Sequence, residues 1–357
     1  MTKIAIIGGF LGAGKTTTIL ELGKRLANSG KRVGIITNDQ GELLVDTKIL
    51  RDFGFTTTEV ISGCFCCRFS DFIASAQEIL EKTNPHIILA EPAGSCMDIP
   101  ATVHEPLRRF HKNFEISPSI VIVDSTSILE RSKKLFSATS PMGYLISNQI
   151  QQAEILAVNK IDQISHQQFE DVKVVLKKLN PKSEVLAISA KDGTGLDDLI
   201  ERILYEEYKV CSYPEVDYKI YGAAESELGW FNGEWNIAGR FQIKKFIEDI
   251  VLVITQKIEL ADGVIAHLKL YFSDGKNSTK VSKVSMLGDV QFLGRIPDEV
   301  ERGKIIINAR VKIGPEQLNE CVLSSLEDVA SKHCIETETV KIESFSPAQP
   351  QPTYRFC

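Results

Sequence analysis

One short segment constrains the fold of this chain more than any other: Gly9-Phe10-Leu11-Gly12-Ala13-Gly14-Lys15-Thr16. It matches the pattern G-x-x-x-x-G-K-[ST], and it lies between the apolar run Ile4–Ile7 and a helical pattern from Thr16 to Asn28. A strand, a glycine-rich turn and a helix in this order place backbone N–H groups and the positive end of the helix around a phosphate. The sequence therefore predicts a P-loop that binds a nucleotide.

The side chains that follow the last glycine of this loop have separate predicted roles. We expect Lys15 to reach the β- and γ-phosphates and the Thr16 hydroxyl to bind Mg²⁺. Thr17 can donate a hydrogen bond to an outer phosphate oxygen. The residues that we expect to bind the nucleotide here are Gly9, Gly12, Ala13, Gly14, Lys15, Thr16 and Thr17. Lys15 is also a candidate catalytic residue.

Two further segments indicate which base is bound. Asn159-Lys160-Ile161-Asp162 ends one apolar strand pattern, and Ser189-Ala190-Lys191 follows the next. The Asp162 carboxylate can accept two hydrogen bonds from the guanine edge, whereas adenine would leave it desolvated and unpaired. A backbone N–H of the second segment would hold the guanine carbonyl. We therefore expect GTP and GDP as ligands, bound by Asn159, Lys160, Asp162, Ser189, Ala190 and Lys191.

Acidic residues at other strand ends are candidates for the magnesium site. Glu91 follows the apolar strand His86–Ala90, at the position where P-loop proteins carry the acid that supports Mg²⁺. Asp39 and Glu42 lie past the end of another strand and could form a nucleotide-sensitive switch. Asp39 and Glu91 are therefore candidate catalytic and magnesium-binding residues. The alternative for each of the three acids is a solvated loop position.

Three of the eight cysteines crowd into Cys64-Phe65-Cys66-Cys67. Thiolates from one loop suit Zn²⁺ or another thiophilic divalent ion such as Co²⁺. One loop supplies at most three ligands, so a fourth must come from elsewhere in the chain or from a partner. Our candidate is Glu42, because both loops lie at the carboxyl edge of the predicted sheet. Such a site would be open and exchangeable rather than structural. The alternative is redox-active or simply buried thiols.

Residues 1–205 alternate between short apolar strands and helical patterns, which predicts a mostly parallel sheet with helices on both faces. Beyond them the pattern changes to longer strands with two helices, which predicts a smaller α+β domain with a mostly antiparallel sheet. We therefore expect an α/β fold: a P-loop GTPase domain over 1–208, followed by the α+β domain over 209–345.

The last segment, residues 346–357, contains Pro347, Pro350 and Pro352, which predicts an extended and mobile tail. It ends on Cys357, whose role the sequence does not indicate.

Composition excludes several classes of protein. Lysine and arginine number 41 against 47 acidic residues, and the net charge of −6 disfavours non-specific binding to nucleic acid or to anionic membranes. No apolar run approaches the about 18–20 residues that cross a bilayer. The N-terminal apolar run is too short for a signal peptide. We therefore expect a cytoplasmic protein with neither nucleic acid nor a membrane as partner.

Four motifs occur in one order: the P-loop, Gly63-Cys64-Phe65-Cys66-Cys67, Glu91-Pro92-Ala93-Gly94 and Asn159-Lys160-Ile161-Asp162. In this combination the chain resembles the CobW-type GTPases, which are relatives of the GTPases that mature nickel enzymes. The resemblance is close over about residues 1–205 and rests on layout alone beyond them. The positions that match the family are Lys15, Thr16, Cys64, Cys66, Cys67, Glu91, Asn159, Lys160 and Asp162.

The resemblance implies slow GTP hydrolysis, metal binding at C-x-C-C and delivery of metal to, or activation of, a client metalloenzyme. We expect the client, a metalloenzyme or cofactor-dependent enzyme, to be contacted through the C-terminal domain, and a dimer could depend on nucleotide or metal. Two features depart from the family pattern. Asn38-Asp39-Gln40-Gly41-Glu42 stands where many relatives have Asn-Glu-Phe-Gly-Glu, and six scattered histidines replace a histidine-rich stretch.

The sequence therefore predicts a GTP-hydrolysing metallochaperone. An alternative is a nucleotide-gated switch that binds a partner and carries no metal, for example a cofactor-loading chaperone for a corrinoid enzyme system. A P-loop kinase for small molecules is disfavoured, because such kinases do not need Asn159 and Asp162.

Overall fold

The structure is a computed structural model that describes residues 1–38, 45–129, 140–209, 213–284, 286 and 290–356. The described residues form two compact units. The first unit contains those within 1–40, 54–224 and 349–357, and the second contains those within 41–53 and 225–348. No helix in these described ranges combines the length and the apolar character needed to span a membrane.

The first unit is built on a parallel sheet. Its described strands are β1 (Thr2–Gly8), β2 (Val33–Asn38), β3 (Thr56–Val60), β4 (Ile87–Glu91), β5 (Phe114–Ile116), β6 (Ile120–Asp124), β7 (Ile155–Asn159) and β8 (Glu184–Ala187). Their order is β3-β2-β4-β1-β6-β7-β8, with β5 beside β1. Four consecutive residues of β1, from Ile4 to Ile7, are at most 1% exposed. Both faces of this strand are therefore covered, as is typical of parallel sheets.

Helices follow most of these strands and continue into the second half of the chain. The helices with described bounds are α1 (Lys15–Asn28), α2 (Val45–Asp52), α3 (Phe69–Thr83), α4 (Glu105–Phe110), α5 (Pro141–Gln151), α6 (His166–Leu179), α7 (Leu196–Tyr205), α8 (Tyr218–Ser226), α9 (Ile243–Leu260) and α10 (Pro315–Lys332). A π-helical turn, Pro100–His104, precedes α4, and a 3-10 turn, Ile161–Gln163, follows β7.

The second unit is an antiparallel sheet with α9 and α10. Its described strands are β9 (Gly229–Gln242), β10 (Ile265–Ser273), β11 (Ser278–Lys283), β12 (Gln291–Gly294), β13 (Glu299–Val311) and β14 (Glu336–Phe345), in the order β12-β11-β10-β13-β9-β14. Buried side chains of both helices pack with strand residues in one apolar core, for example Phe246, Leu318 and Ile307. The predicted α/β fold with a smaller α+β part is confirmed.

Helix α2 is the feature of this fold that the sequence pattern did not indicate. It lies between β2 and β3 in the chain, but it belongs to the second unit. Its first residue, Val45, packs with Tyr271 and Ile306. The Asp46 carboxylate pairs with Lys269 and, at 2.6 Å, with Lys280. Helix α2 therefore packs on the antiparallel sheet.

Candidate functional site

The predicted P-loop joins β1 to α1. Gly9, Gly12 and Gly14 have φ angles of +133°, +79° and +93°, where L side chains are rarely tolerated. A Cβ on Gly9 would lie 2.3 Å from the Ile122 carbonyl oxygen, and one on Gly14 would lie 2.3 Å from Asn159 Nδ2. These glycines let the loop pass close to its neighbours and lead directly into the N-terminus of α1.

Lys15 and Thr16 are both buried at the start of α1, and Thr17 is half-buried beside them. Lys15 Nζ donates to the Phe10 carbonyl oxygen at 3.3 Å, so the ammonium group lies over the loop. Thr16 Oγ1 donates to Glu91 Oε1 at 2.9 Å. A hydroxyl and a carboxylate oxygen in contact are the kind of ligands that Mg²⁺ prefers. The side chains here therefore fit a magnesium ion.

The segments predicted to bind the base lie beside the P-loop. Asn159 Nδ2 donates to the Ala13 carbonyl oxygen at 2.9 Å, and Asn159 Oδ1 accepts from the Ala190 N–H at 3.0 Å. This one amide therefore ties the P-loop to the segment after β8. Ser189 Oγ donates to Asp162 Oδ1 at 2.9 Å, which orients the carboxylate.

Two lysines complete the base-binding end. Lys160 takes a left-handed conformation, with φ +64°, and its Nζ lies 2.6 Å from Asp124 Oδ2. Lys191 Nζ is 3.9 Å from Asp162 Oδ2, and its side chain is 80% exposed. The structure thus brings the predicted nucleotide residues together at the ends of β1, β7 and β8. The predicted switch acids, Asp39 and Glu42, lie outside the described residues.

The cysteine loop, residues 61–68, leads from β3 to α3. The Cys67 and Arg68 N–H groups both donate to the Cys64 carbonyl oxygen, at 3.0 and 2.9 Å, so the loop closes a tight turn. This turn brings together the three sulfurs of Cys64, Cys66 and Cys67, the thiol cluster. The Sγ–Sγ distances are 2.7 Å for Cys64–Cys66, 3.2 Å for Cys64–Cys67 and 3.8 Å for Cys66–Cys67. Three soft ligands therefore converge on one point.

Burial divides the thiol cluster. Cys64 and Cys66 are 3% and 1% exposed and pack in the apolar core near Phe65 and Phe72, whereas Cys67 is half-buried. An ion would therefore reach the cluster from the Cys67 side.

Hydrogen bonds among the sulfurs separate their pKa values. Bonds from Cys66, Cys67 and Cys96 hold the pKa of Cys64 well below its usual range, although burial opposes this shift. The hydrogen bond between Cys66 and Cys64 raises the pKa of Cys66 far above its usual range. The hydrogen bond between Cys67 and Cys64 raises the pKa of Cys67 to about 12. The hydrogen bonds thus favour the ionised form of Cys64 and the neutral forms of Cys66 and Cys67. Because a thiophilic ion must displace their protons, its affinity should rise with pH.

A side chain that sequence reasoning did not single out, Asn38, connects the two sites. It ends β2, and its Nδ2 donates to the carbonyl oxygens of Val60 and Gly63 at 2.9 and 2.6 Å. Its Oδ1 accepts from the Ala93 N–H at 3.2 Å. Asn38 is 8% exposed, so these are buried bonds. They join the cysteine loop to the segment that carries Glu91.

That segment, residues 91–96, also contacts the P-loop. A Cβ on Gly94 would lie 3.0 Å from the Leu11 backbone nitrogen, so the two backbones approach closely. The segment ends on Cys96, which is buried and shares the apolar cluster of Cys64. The magnesium-site acid and a fourth cysteine thus belong to one short loop.

The proline-rich tail contacts the cysteine loop, which the sequence did not indicate. It has no helix or strand in its described part, but its backbone is bound to the cysteine loop. The Gln351 N–H donates to Cys67 Sγ at 3.2 Å, and the Thr353 N–H donates to the Cys66 carbonyl oxygen at 2.8 Å. Arg355 pairs at 2.7 Å with Asp98, which is buried. These bonds, rather than prolines alone, give residues 351–356 of the extended tail their path.

Residues 3–187 match the family model for the CobW/HypB/UreG nucleotide-binding domain. The chain belongs to this family. The match covers the P-loop, the cysteine loop, Glu91 and Asn159-Lys160-Ile161-Asp162, so the resemblance inferred from these motifs is confirmed.

The family includes named relatives that share part of this chain. The chain is 28% identical over 211 residues to the zinc chaperone CobW of a Sinorhizobium species, an alignment that covers 53% of this chain and 58% of that protein. It is 21% identical over 242 residues to zinc-regulated GTPase metalloprotein activator 1 of Dictyostelium discoideum, covering 59% and 50%. The chain spans about half the length of the curated relatives it matches.

Among solved structures, HypB from Helicobacter pylori in complex with nickel covers 59% of this chain and 92% of its own, with 17% identity and a TM-score of 0.44. A likeness of this size carries no functional conclusion.

Proposed function

We propose that this CobW/HypB/UreG-family chain is a GTP-hydrolysing metallochaperone. It would bind a thiophilic divalent ion at Cys64, Cys66 and Cys67 and deliver it to, or activate, a client metalloenzyme. The observation that carries the proposal is the bonded connection between the two sites: Thr16 to Glu91 at one end, and Ala93 through Asn38 to Gly63 at the other. The relatives named as a zinc chaperone and a GTPase metalloprotein activator support it.

The nucleotide end of the proposal assigns a task to each group. Lys15 and the glycine-rich backbone hold the phosphates, and Asp162, positioned by Ser189, selects guanine. Thr16 and Glu91 hold Mg²⁺, which when bound supplies positive charge to the phosphate oxygens as charge shifts during hydrolysis. Asp39 remains our candidate for a further magnesium or water-positioning residue.

The metal end of the proposal needs an ion that can enter and leave. Three sulfurs in one loop favour Zn²⁺, with Co²⁺ as an alternative cargo, over ions that prefer oxygen ligands. Half-buried Cys67 gives the approach. The client would contact the C-terminal domain, residues 209–345, while residues 1–208 form the GTPase domain. A dimer that depends on nucleotide or metal is part of the same proposal.

Coupling between the sites is the property to measure. If GTP and Mg²⁺ shift the 91–96 loop, the affinity for the metal must depend on which nucleotide is bound. The coupling is reciprocal: bound metal must change the nucleotide affinity by the same free energy. We expect Zn²⁺ affinities that differ about 5- to 150-fold between the GDP complex and the complex with a non-hydrolysable GTP analogue. Competition titration with a chromophoric chelator measures this ratio. Equal affinities would contradict the coupling.

Hydrolysis is tested separately with GTP and ATP as competing substrates. We expect GTP to be preferred, because adenine offers Asp162 no donor pair. Preference for ATP would overturn the proposed selection of guanine. It would not contradict the proposed metal site.

One observation favours the alternative, a nucleotide-gated partner-binding switch without a metal cargo. Cys64 and Cys66 lie in the apolar core, as structural thiols often do. The double variant Cys66→Ser, Cys67→Ser separates the two functions. If the chain is a metallochaperone, the wild type binds Zn²⁺ in the competition titration, and the double variant loses this binding but keeps GTP hydrolysis. If the chain is a pure switch, the wild type already binds no Zn²⁺.

A further inference from the structure

Residues 351–356 of the tail lie against the cysteine loop on the side of Cys67. The Gln351 N–H donates to Cys67 Sγ at 3.2 Å. The Thr353 N–H donates to the Cys66 carbonyl oxygen at 2.8 Å, and the Thr353 hydroxyl donates to the Cys67 carbonyl oxygen at 3.2 Å. The tail is therefore bonded both to a sulfur of the thiol cluster and to the backbone that positions two of its members.

These bonds lie on the route that an ion must use to reach the sulfurs. Two of the three cysteines are at most 3% exposed, so the half-buried Cys67 is the side from which the thiol cluster can be reached. The Gln351 N–H is bonded to the sulfur of that residue, and Tyr354 packs edge-on against Phe69, with 5.5 Å between ring centres. The tail thus covers part of the approach to the cluster.

The C-terminal end of this segment is fixed to buried groups of the same unit. Arg355 Nε lies 2.7 Å from Oδ2 of Asp98, a residue that is 1% exposed, and Arg355 Nη2 donates to the Pro214 carbonyl oxygen at 3.0 Å. The Phe356 N–H donates to the Ala101 carbonyl oxygen at 3.0 Å. Because removing one partner of a buried ion pair costs far more than breaking an exposed pair, the Arg355–Asp98 pair is the main anchor of the tail.

The part of the tail that covers the sulfurs is bound less firmly than its anchor. Gln351, Thr353 and Tyr354 are exposed, so water can replace their hydrogen-bond partners at small cost. Pro350 and Pro352 flank Gln351 and restrict the backbone to extended conformations, which lowers the entropy lost on closing. A segment of this kind opens locally while the rest of the unit stays folded.

We propose that residues 351–356 form a gate over the thiol cluster, which slows both the entry and the release of the metal ion and is held closed by the Arg355–Asp98 pair. This inference rests on the proposed metal-binding function and adds regulation of the same site. A metal-bound thiolate can still accept a hydrogen bond, so the Gln351 N–H can hold Cys67 in the loaded chain as well. The gate therefore retains an ion until a client is reached, without requiring a higher equilibrium affinity.

The test measures two rates and one affinity on the full chain. Zn²⁺ release is followed as transfer to a chromophoric chelator, Zn²⁺ loading by stopped-flow mixing with a zinc indicator, and affinity by competition titration. Gln351→Pro removes the N–H that bonds the Cys67 sulfur, and Thr353→Pro removes the donors to the Cys66 and Cys67 carbonyl oxygens. We expect either variant to raise both rates about five- to tenfold and to change the affinity less than about twofold, because opening is a barrier common to entry and release.

Arg355→Ala tests the anchor, because it leaves in place the backbone N–H groups that bond the cysteine loop. We expect both rates to rise about tenfold or more, since a buried ion pair holds the tail. Two matched controls should keep the wild-type rates. Ala348→Pro introduces proline in the exposed stretch before these contacts, and Arg202→Ala removes an arginine–carboxylate pair with Glu184 on α7.

The outcomes separate the gate from the proposed function. Wild-type rates in variants that still bind Zn²⁺ would overturn the gate and leave the metallochaperone proposal standing. A rise in only one of the two rates would also overturn the gate, because the tail would then favour either the empty or the loaded site rather than slow exchange. A wild-type chain that binds no Zn²⁺ would overturn both proposals. If Arg355→Ala does not fold, as judged by circular dichroism, the two proline variants decide.

Discussion

At the scale of single residues, the choice of base in our proposal depends on Asp162. One of its oxygens accepts a hydrogen bond from Ser189, and Lys191 lies 3.9 Å from the other. These neighbours keep the carboxylate at the end of β7 beside the P-loop. Its motif, Asn159-Lys160-Ile161-Asp162, was recognisable in the sequence because the spacing of donors and acceptors on guanine requires particular residue types at neighbouring positions.

Replacing Asp162 with alanine should lower GTP affinity by about 100-fold or more, because two charge-assisted hydrogen bonds to the base are lost. ATP binding should not weaken. Isothermal titration with both nucleotides measures the change. The control is Asp192→Ala, which removes an exposed acid of the neighbouring loop whose carboxylate accepts hydrogen bonds from Thr194. An unchanged GTP affinity in Asp162→Ala would remove the basis for guanine selection.

Another important residue gave no signal of its own. Asn38 is a common residue type at an unremarkable position in the sequence. Its significance comes from hydrogen-bond partners 22 to 55 residues away. Only the folded chain brings these groups into contact.

At the scale of elements, α2 is held to the second unit by charge. Burial works to raise the pKa of Asp46, but the charges of Lys269 and Lys280 outweigh it and hold that pKa well below its usual range. Asp52, at the other end of the helix, accepts a hydrogen bond from the Tyr271 hydroxyl at 2.7 Å. Both ends of this short helix are therefore anchored to β10 or its neighbour β11.

Asp46→Ala should destabilise the second unit by about 3–5 kcal/mol, because two largely buried ammonium groups lose their carboxylate. Urea unfolding monitored by tryptophan fluorescence reports this, since Trp230 and Trp235 lie in that unit. In the control variant Asp328→Ala, an exposed pair with Lys257 is lost, and the expected cost is below about 1 kcal/mol. Equal effects of the two substitutions would contradict a special role for Asp46.

The same carboxylate predicts a dependence on pH. Because the folded pKa of Asp46 is lowered, its contribution to stability is complete above the unfolded pKa of about 3.9 and is lost as the pH falls through the folded value. Asp46→Asn should therefore reduce the loss of stability on acidification below about pH 4. Unfolding midpoints at a series of pH values test this, and parallel curves for variant and wild type would refute it.

The tail is the second element whose role the structure changes. Its backbone bonds to Cys66 and Cys67, and Tyr354 packs edge-on against Phe69 at 5.5 Å between ring centres. It therefore covers the half-buried side of the thiol cluster.

Deletion of residues 349–357 should expose Cys67 and increase the rate at which its thiol reacts with a maleimide. The rate should rise about tenfold for each 1.4 kcal/mol by which the tail stabilises the closed local structure. Mass spectrometry of timed samples gives the rate at each cysteine. Cys334, which is exposed and lies in the other unit, is the internal control and should react at an unchanged rate. Unchanged alkylation of Cys67 would mean that the tail gives no protection.

At the scale of the whole molecule, the proposed function requires communication between a nucleotide and a metal. The connection lies within the first unit and consists of the 91–96 loop and the Asn38 side chain. The 91–96 loop follows β4, which adjoins β1, and Asn38 ends β2, which adjoins β4. Parallel strands bring their carboxyl ends to one edge, so the loops after β1, β3 and β4 collect there.

Asn38→Ala should reduce the ratio of Zn²⁺ affinities between the two nucleotide states towards one, because the cysteine loop and the 91–96 loop lose their shared partner. The chelator competition titration measures the ratio. Asn84→Ala, at the end of α3 away from these loops, is the control and should keep the wild-type ratio. If Asn38→Ala keeps the wild-type ratio of Zn²⁺ affinities, the two sites are coupled through other residues.

Motif residues and the general fold could be predicted from the sequence because both depend on local patterns. Period-two apolar runs, helical spacing and glycines at required positive φ angles specify strands, helices and the P-loop within a few residues. The thiol cluster also follows from local spacing, since its three sulfurs come from one turn.

By itself, the sequence determined the family, the parallel sheet, the antiparallel α+β part and the positions of Lys15, Thr16, Asp162 and the C-x-C-C motif. The tertiary structure decided which distant groups meet: Asn38 with Gly63 and Ala93, α2 with the second sheet, and the tail with the cysteine loop. The physical reason is that these contacts depend on strand order and loop closure. Both result from packing over the whole chain, and neither leaves a periodic trace along it.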